Sequence, residues 1–496
     1  MKWPRILLAF VLLLLLPIVG RALWFYQGIY HRATPVATPD YNSFTMPFPT
    51  LSTPPALAKA EQPSGQVPQV LFDQVHGNLY TLSELDTLTQ TLSELGSEVK
   101  ADTGARALKE QLKSAAAYVV IAPTVPFSNE EIAAINQFVE RGGHLLVIAD
   151  PTREYGSDLL TGAASYDSVD ASNPLLAAYN MAFVNDYVYN LVKNEGNFRN
   201  IYAQPASQTG VADKITSVVF YSVHSINAPQ DQMVLESSSD SLSSKTDQGQ
   251  NLALAAASPD GRVLAIGDMT FLTAPYNQVA DNGLFIQNLA RFLNAGERDA
   301  NLLDFPYLFK RPVTLLLDQE NSLDSDTLTL VSQIQQSLQA LNVSMEIAEK
   351  PASGKDLILF GTFDDMDALG EYLTPFHLKY SGLALPTDLV ADEPPPTEET
   401  TPTPEMALPS DEETGSLLDL LSSLGSSLEV PGVGQVDTEG TGLFLFSAKP
   451  EQNTLILLGN SNQELLGLAG LIAGGSLTDC ITNETTAVCV FSTSIP

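Results

Sequence analysis

The sequence predicts an α/β protein: an N-terminal transmembrane helix, a parallel-sheet domain, and a second α/β domain carrying a disordered acidic insertion. Three observations lead there. Short, almost unbroken apolar runs ("QVLF", "AAYVVIAP", "HLLVIAD") alternate with amphipathic helical patterns, as strands covered on both faces require. The same alternation starts again near Asp304, and 496 residues exceed what a single core accommodates. The first 32 residues are far more apolar than anything after them.

That first segment places Lys2 and Arg5 before "ILLAFVLLLLLPIVG", with Trp24, Phe25, Tyr26 and Tyr30 following Arg21. About 21 residues from Ile6 to Tyr26 are enough to cross a bilayer if Arg21 snorkels, and the aromatic cluster suits the far headgroup belt. The competing reading is a cleaved signal peptide, with Gly20 and Ala22 as the small residues of its processing site. The apolar and aromatic run continues past that site, so residues 1–32 are read as a single-pass signal anchor. The positive-inside bias then sends the bulk of the chain out of the cytoplasm.

Residues 33–66 are rich in Pro, Thr and Ser without apolar periodicity, as expected of an extended stalk. Residues 67–300 form the first domain. In it, "LSELDTLTQTLSELG" sets Leu82, Leu85, Leu88, Leu92 and Leu95 on one helical face and stops at Gly96. Ser128 and Glu131 make a capping box for "NEEIAAINQFVERGG". "LALAAAS", "PDGR" and "VLAIGD" read as a hairpin at the sheet's far side, closed by the helix "NGLFIQNLARFLN". Asn282 and Asn288 are placed to cap or line that helix.

Residues 301–496 form the second domain, from "PVTLLLD" through "DLILFGT", "GLFLFSA" and "TLILLGN". An acidic tract at about 391–415, "DEPPPTEETTPTPE" with "DEETG", is too polar to fold and is read as disordered. Cys480 and Cys489, the two cysteines of the chain, flank a polar turn in "LTDCITNETTAVCVF". A turn centred between Glu484 and Thr485 opposes them across a hairpin, where an oxidising compartment would join them; two buried free thiols are the other reading.

The pieces "FDQVHGN", "VVIAPTVPFSNEEIAAINQFVERGGHLLVIADPT", "NPLLAAYNMAFVND", "GRVLAIGDMTFL" and "DNGLFIQNLARFL" together resemble the class I glutamine amidotransferase-like fold, which is flavodoxin-like. Within it, they are similar to uncharacterised bacterial membrane-anchored proteins and to auxiliary proteins of gliding-motility-type ABC transporters. The resemblance implies a fold and a binding role. Catalytic members need a cysteine on the turn after the strand "HLLVIAD", where this chain has Asp150 and Pro151, and no cysteine precedes residue 480. Without a thiolate the acyl chemistry has no nucleophile, so no enzyme activity and no catalytic residue are expected.

A formal charge of −34, from 58 acidic and 24 basic residues, excludes nucleic acid as a partner. No G-x-G-x-x-G, complete phosphate loop or H-E-x-x-H occurs, and the five histidines are too scattered for a metal centre, so neither cofactor nor metal is expected. Asp73, Thr124, Asp150 and Asp268 each follow an apolar run, and His76 lies three residues beyond Asp73. In a parallel sheet those ends open onto one crevice, which makes Asp73, His76, Asp150 and Asp268 the candidate ligand-binding residues. The opposing reading is that strand-end aspartates cap turns and His76 meets a carbonyl. Three function classes follow: a non-catalytic membrane-anchored binding or scaffolding protein, with an envelope or ABC-type transport system as partner; an Asp/His hydrolase, with or without a metal; or a structural envelope protein.

Overall fold

The computed structural model describes residues 3–25, 67–153, 168–246, 251–316, 325–381 and 426–491. The expected stalk at 33–66 and the acidic tract at 391–415 lie outside them. Helix α1 (Trp3–Phe25) is 23 residues long with a mean hydropathy of 2.6 over its most apolar 18-residue window, so it is long and apolar enough to cross a membrane.

The first sheet and a two-stranded ribbon are built in chain order from β1 (Gln69–Asp73), β2 (Glu98–Asp102), β3 (Ala115–Ile121), β4 (His144–Ile148), β5 (Ala182–Phe183), β6 (Val188–Tyr189), β7 (Asn200–Pro205), β8 (Val218–Tyr221), β9 (Ile226–Asn227), β10 (Met233–Ser237), β11 (Leu242–Ser243), β12 (Ala253–Ala257) and β13 (Val263–Ile266). The strands of the sheet run in the order β2-β1-β3-β4-β13-β12-β10-β7-β8, with β9 paired to β12 and β5 to β9, and the ribbon is β6 paired to β11. The pairs from β2 to β13 are parallel, and those from β13 to β8 antiparallel. Helices α2 (Asp86–Glu94), α3 (Leu108–Leu112), α4 (Asn129–Glu140), α5 (Ser168–Leu176) and α6 (Asn282–Asn294) complete this part. The capping box at Ser128 and Glu131 starts α4.

Two apolar layers sandwich the parallel strands. Val70, Phe72, Leu146 and Ile148 join α2 and α6 on one face; Leu71, Tyr118, Leu145 and Val147 join α3 and α4 on the other. The β12–β13 hairpin does not close the sheet's far side, contrary to the sequence reading. Strand β13 lies in the middle, and β12, β10, β7 and β8 continue beyond it. The reason is non-local pairing: β13 takes β4 as its second neighbour, and the antiparallel run continues from β12 through β10 and β7, which come earlier in the chain.

The second sheet comprises β14 (Val313–Leu316), β15 (Met345–Ala348), β16 (Asp356–Thr362), β20 (Thr441–Ala448), β21 (Asn453–Gly459), β22 (Cys480–Thr482) and β23 (Thr486–Val490), with β17 (Lys379–Ser381), β18 (Ser427–Val430) and β19 (Gly434–Asp437) in a small antiparallel sheet. Its order is β15-β14-β16-β21-β20-β23-β22, and α7 (Ser325–Ala340) packs on the helix Asn462–Gly474 over it. Cys480 and Cys489 are directly opposed in the terminal hairpin and joined as a disulfide.

Candidate functional site

Strand β1 is flanked by β2 on one side and β3 on the other, so the loops after β1 and β3 diverge and would leave a crevice between them. Here the residues Asp73 to Asn78 close it. Asp73, fully buried at the end of β1, accepts the backbone N–H of Val75 at 3.2 Å and sits 2.9 Å from Nδ1 of His76. The imidazole stacks on Phe127, ring centroids 3.6 Å apart, and its Nε2 lies 3.5 Å from Glu131 on α4. Burial opposes charging of His76, yet the two carboxylates on either side hold its pKa above the ordinary value.

The loops are then sewn together through the main chain. The His76 carbonyl accepts N–H bonds from Thr124 (2.8 Å) and Val125 (2.9 Å), and the Leu79 N–H reaches the Ala122 carbonyl (3.0 Å). Asn78 Nδ2 donates to Ile121 O (3.0 Å) and Thr124 Oγ1 to Gly77 O (2.9 Å). Gly77 has φ +62°, and a Cβ there would lie 2.4 Å from Thr124 Oγ1, so both the backbone conformation and the close approach call for glycine. The polar knot is a stitch across the switch point.

Asp150 and Asp268, also fully buried, form a second pair. Asp150 Oδ1 accepts Thr152 N and Oγ1, both at 2.6 Å, and Oδ2 accepts Met269 N at 3.0 Å. Asp268 accepts Thr270 N and Tyr221 N, each at 2.7 Å. Burial, and then the neighbouring Asp150 charge, push the Asp268 carboxyl well above its usual range. The four candidate residues therefore do not converge on one rim. Side chains alternate along a strand. Asp73 falls in line with Leu71, on the α4 face, whereas Asp150 and Asp268 fall in line with Ile148 and Ile266, on the α6 face.

The nucleophile position is equally committed to structure. Asp150 leads into a 3-10 turn (Pro151–Arg153) and has no left-handed backbone; the strained residue nearby is Ala122, φ 42°, after β3. Sequence reasoning missed Glu131 as a partner of His76, because its capping signature already accounted for it. It also missed an open groove of about 430 Å³ on the same edge of the sheet, lined by Asn78, Tyr80, Thr81, Glu84, Thr152 and Arg153. Arg153 crosses it, donating to Leu79 O at 3.0 Å and to Glu84 Oε1 at 2.6 Å. That hydrogen bond is the main reason the Glu84 carboxyl titrates below its ordinary range. A basic residue just after "ADPT" was the available signal.

A family model described as a domain of unknown function (DUF4350) matches residues 86–290. No curated protein matches the chain. Among solved structures, the chain is similar to the "mmIFT52 N-terminal domain" at 14% identity, covering 46% of this chain and 98% of that one with a TM-score of 0.37. A ThuA-like protein from Bacteroides uniformis is 14% identical, with 49% and 95% covered and a TM-score of 0.31. The glutaminase domain of the Trypanosoma brucei CTPS is 11% identical, with 45% and 94% covered and a TM-score of 0.22.

Proposed function

We propose that this chain is a membrane-tethered, extracytoplasmic binding or scaffolding protein that turns nothing over, and that the groove crossed by Arg153 receives its ligand or partner. The observation that carries the reading is the state of the chemistry-bearing groups at the strand ends. Asp73, His76, Asp150 and Asp268 are 0–4% exposed and held by hydrogen bonds within the fold. A catalytic group has to meet a substrate atom at hydrogen-bond distance, and these are turned inward. The groove beside them is open, and its Arg153–Glu84 pair is about two-thirds covered, so an incoming carboxylate or carbonyl has a guanidinium to compete for. Helix α1 supports the tether. The partner class implied by the sequence resemblance, an ABC-type envelope transport system, is the first to look for.

The test is affinity purification of the full-length protein in mild detergent, comparing wild type with Arg153→Ala. Arg153 also holds the Leu79 carbonyl, so the thermal midpoint of the variant is measured alongside, and the comparison uses a variant whose midpoint stays close to that of wild type. A partner recovered with wild type and lost with the variant supports the reading, and an ABC permease or ATPase among the recovered proteins names it. The same proteins recovered from both would remove the groove from the account. One observation favours the hydrolase alternative: Asp73 orients His76 as a general base is oriented. Turnover of a chromogenic ester or amide by wild type, abolished by His76→Gln, would establish that alternative and overturn the binding reading.

A further inference from the structure

The segment joining β6 to β7 ends in an exposed apolar tip. Leu191 and Val192 are 70% and 84% exposed, and Phe198 and Tyr202 beside them are 42% and 40% exposed. Single apolar residues on a surface need no explanation, but this tip is built to hold its residues out. Asn190 is buried; its Oδ1 accepts the N–H groups of Val192 (2.9 Å) and Lys193 (2.7 Å), and its carbonyl accepts Asn194 Nδ2 (2.8 Å). Asn190 Nδ2 is anchored in turn on the hydroxyls of Ser238 and Ser241, each at 3.2 Å. Leu191 and Val192 are thus fixed in a turn that points them away from the core.

The surroundings of the tip are aromatic and charge-balanced in a chain that is otherwise strongly acidic. The Arg199 guanidinium lies 4.0 Å from the Tyr187 ring centre and 5.7 Å from that of Phe198. Lys193 is well exposed and lies 3.2 Å from Asp240. Residues 191–199 carry two cations, Lys193 and Arg199, against one carboxylate, Glu195, while the whole chain carries −34. Aliphatic residues at an extremity, aromatic rings behind them and cations at ring level match the layers of a lipid interface: acyl boundary, headgroup zone and phosphate.

We propose that the Leu191–Val192 tip inserts into the interface of a lipid bilayer, the one that α1 spans. This rests on the reading of α1 as a membrane span. Two aliphatic side chains bury too little surface to hold a free protein on a membrane. On a tethered chain the second contact is intramolecular, and a weak one suffices.

The test uses the full-length chain in phosphatidylcholine–phosphatidylglycerol vesicles. Its two tryptophans, Trp3 and Trp24, both lie in α1, so Trp3→Phe and Trp24→Phe leave a dark background. Val192→Trp then reports on the tip. Leu328→Trp, at a position 52% exposed on α7, is the control. The expected result is a blue-shifted emission from the Val192→Trp probe that brominated-acyl lipids quench at least twofold, with the control unquenched. Equal quenching of both probes, or of neither, overturns the proposal. A blue shift that ignores brominated lipid and grows with protein concentration assigns the tip to a second copy and also overturns it. Vesicle flotation separates the tip's contact from the tether's. A chain that floats with an unquenched tip overturns the tip alone, and one that does not float overturns the tether as well.

Discussion

Asp268 shows how burial shifts the proton balance of an acid that serves the fold. Its oxygens satisfy the N–H groups of Tyr221 and Thr270, and Asp150 sits against it with no cation among the described contacts. The pKa raised by burial and by Asp150 makes the native state bind a proton that the unfolded chain has already released. Stability from this group is therefore full below the ordinary aspartate pKa and is lost as pH rises through the raised value. Asp268→Asn keeps the shape but replaces one acceptor oxygen with an amide that cannot accept, a loss of about 1–3 kcal/mol. The expected outcome is a variant less stable than wild type near pH 5 whose deficit shrinks on going to pH 9, read from urea midpoints. A deficit that stays constant from pH 5 to pH 9 would mean that Asp268 is charged in the native state.

At the scale of elements, the feature with most consequence is the outer edge of β8. A terminal strand leaves alternate N–H and C=O groups open for pairing with another chain. Here they are closed by side chains. Asn282, the first residue of α6, accepts Val219 N–H at 2.9 Å and donates to Val219 O at 3.1 Å, imitating one rung of a ladder. Asp281 takes the N–H groups of Thr216 (2.7 Å) and Ser217 (3.0 Å), and Asp268 takes that of Tyr221. Asn282→Ala strips both groups of Val219 of their partner in a buried setting, at a cost of about 2–3 kcal/mol. A lower thermal midpoint with concentration-dependent aggregation below it is expected by calorimetry and light scattering. An unchanged midpoint would mean that water replaces the amide.

For the whole molecule, residues 296–304 are the seam between the two sheets. Gly142 and Gly296 allow backbone to pass where a Cβ would sit 2.2 Å from Glu297 O and 2.1 Å from Ala116 O respectively. Arg298 donates to the carbonyls of Leu112 and Lys113, Asp304 pairs with Arg141 and lies 3.6 Å from Arg298, and Lys310 reaches the Arg298 carbonyl. The Leu302 N–H donates to Glu484 O in the terminal hairpin at 2.8 Å. Asp304 is 1% exposed, so Asp304→Asn leaves two guanidinium groups short of their counter-charge. A loss of about 3 kcal/mol and a calorimetric transition that splits into two are expected, because the seam transmits cooperativity between the sheets. A single transition with unchanged midpoint would show that apolar packing alone couples them.

Apolar run length and periodicity are local properties, and what depends on them was legible in the chain itself: the 23-residue helix, the parallel strands β1, β3 and β4, the capped α4, and the opposed cysteines. The hydrophobic effect acts on those patterns directly, so the elements follow from them. Which strand lies beside which, and which way each strand-end side chain turns, depends on partners far along the chain. Hence β13 at the centre of the sheet, Asp73 facing away from Asp150, Glu131 reaching back to His76, and Arg153 bridging to Glu84 emerged only from the assembled structure. A polar residue after a strand looks the same in sequence whether it faces solvent or its own main chain. Only the fold supplies the donors, at 2.6 to 3.2 Å, that turned these acids from candidate ligand contacts into joints of the scaffold.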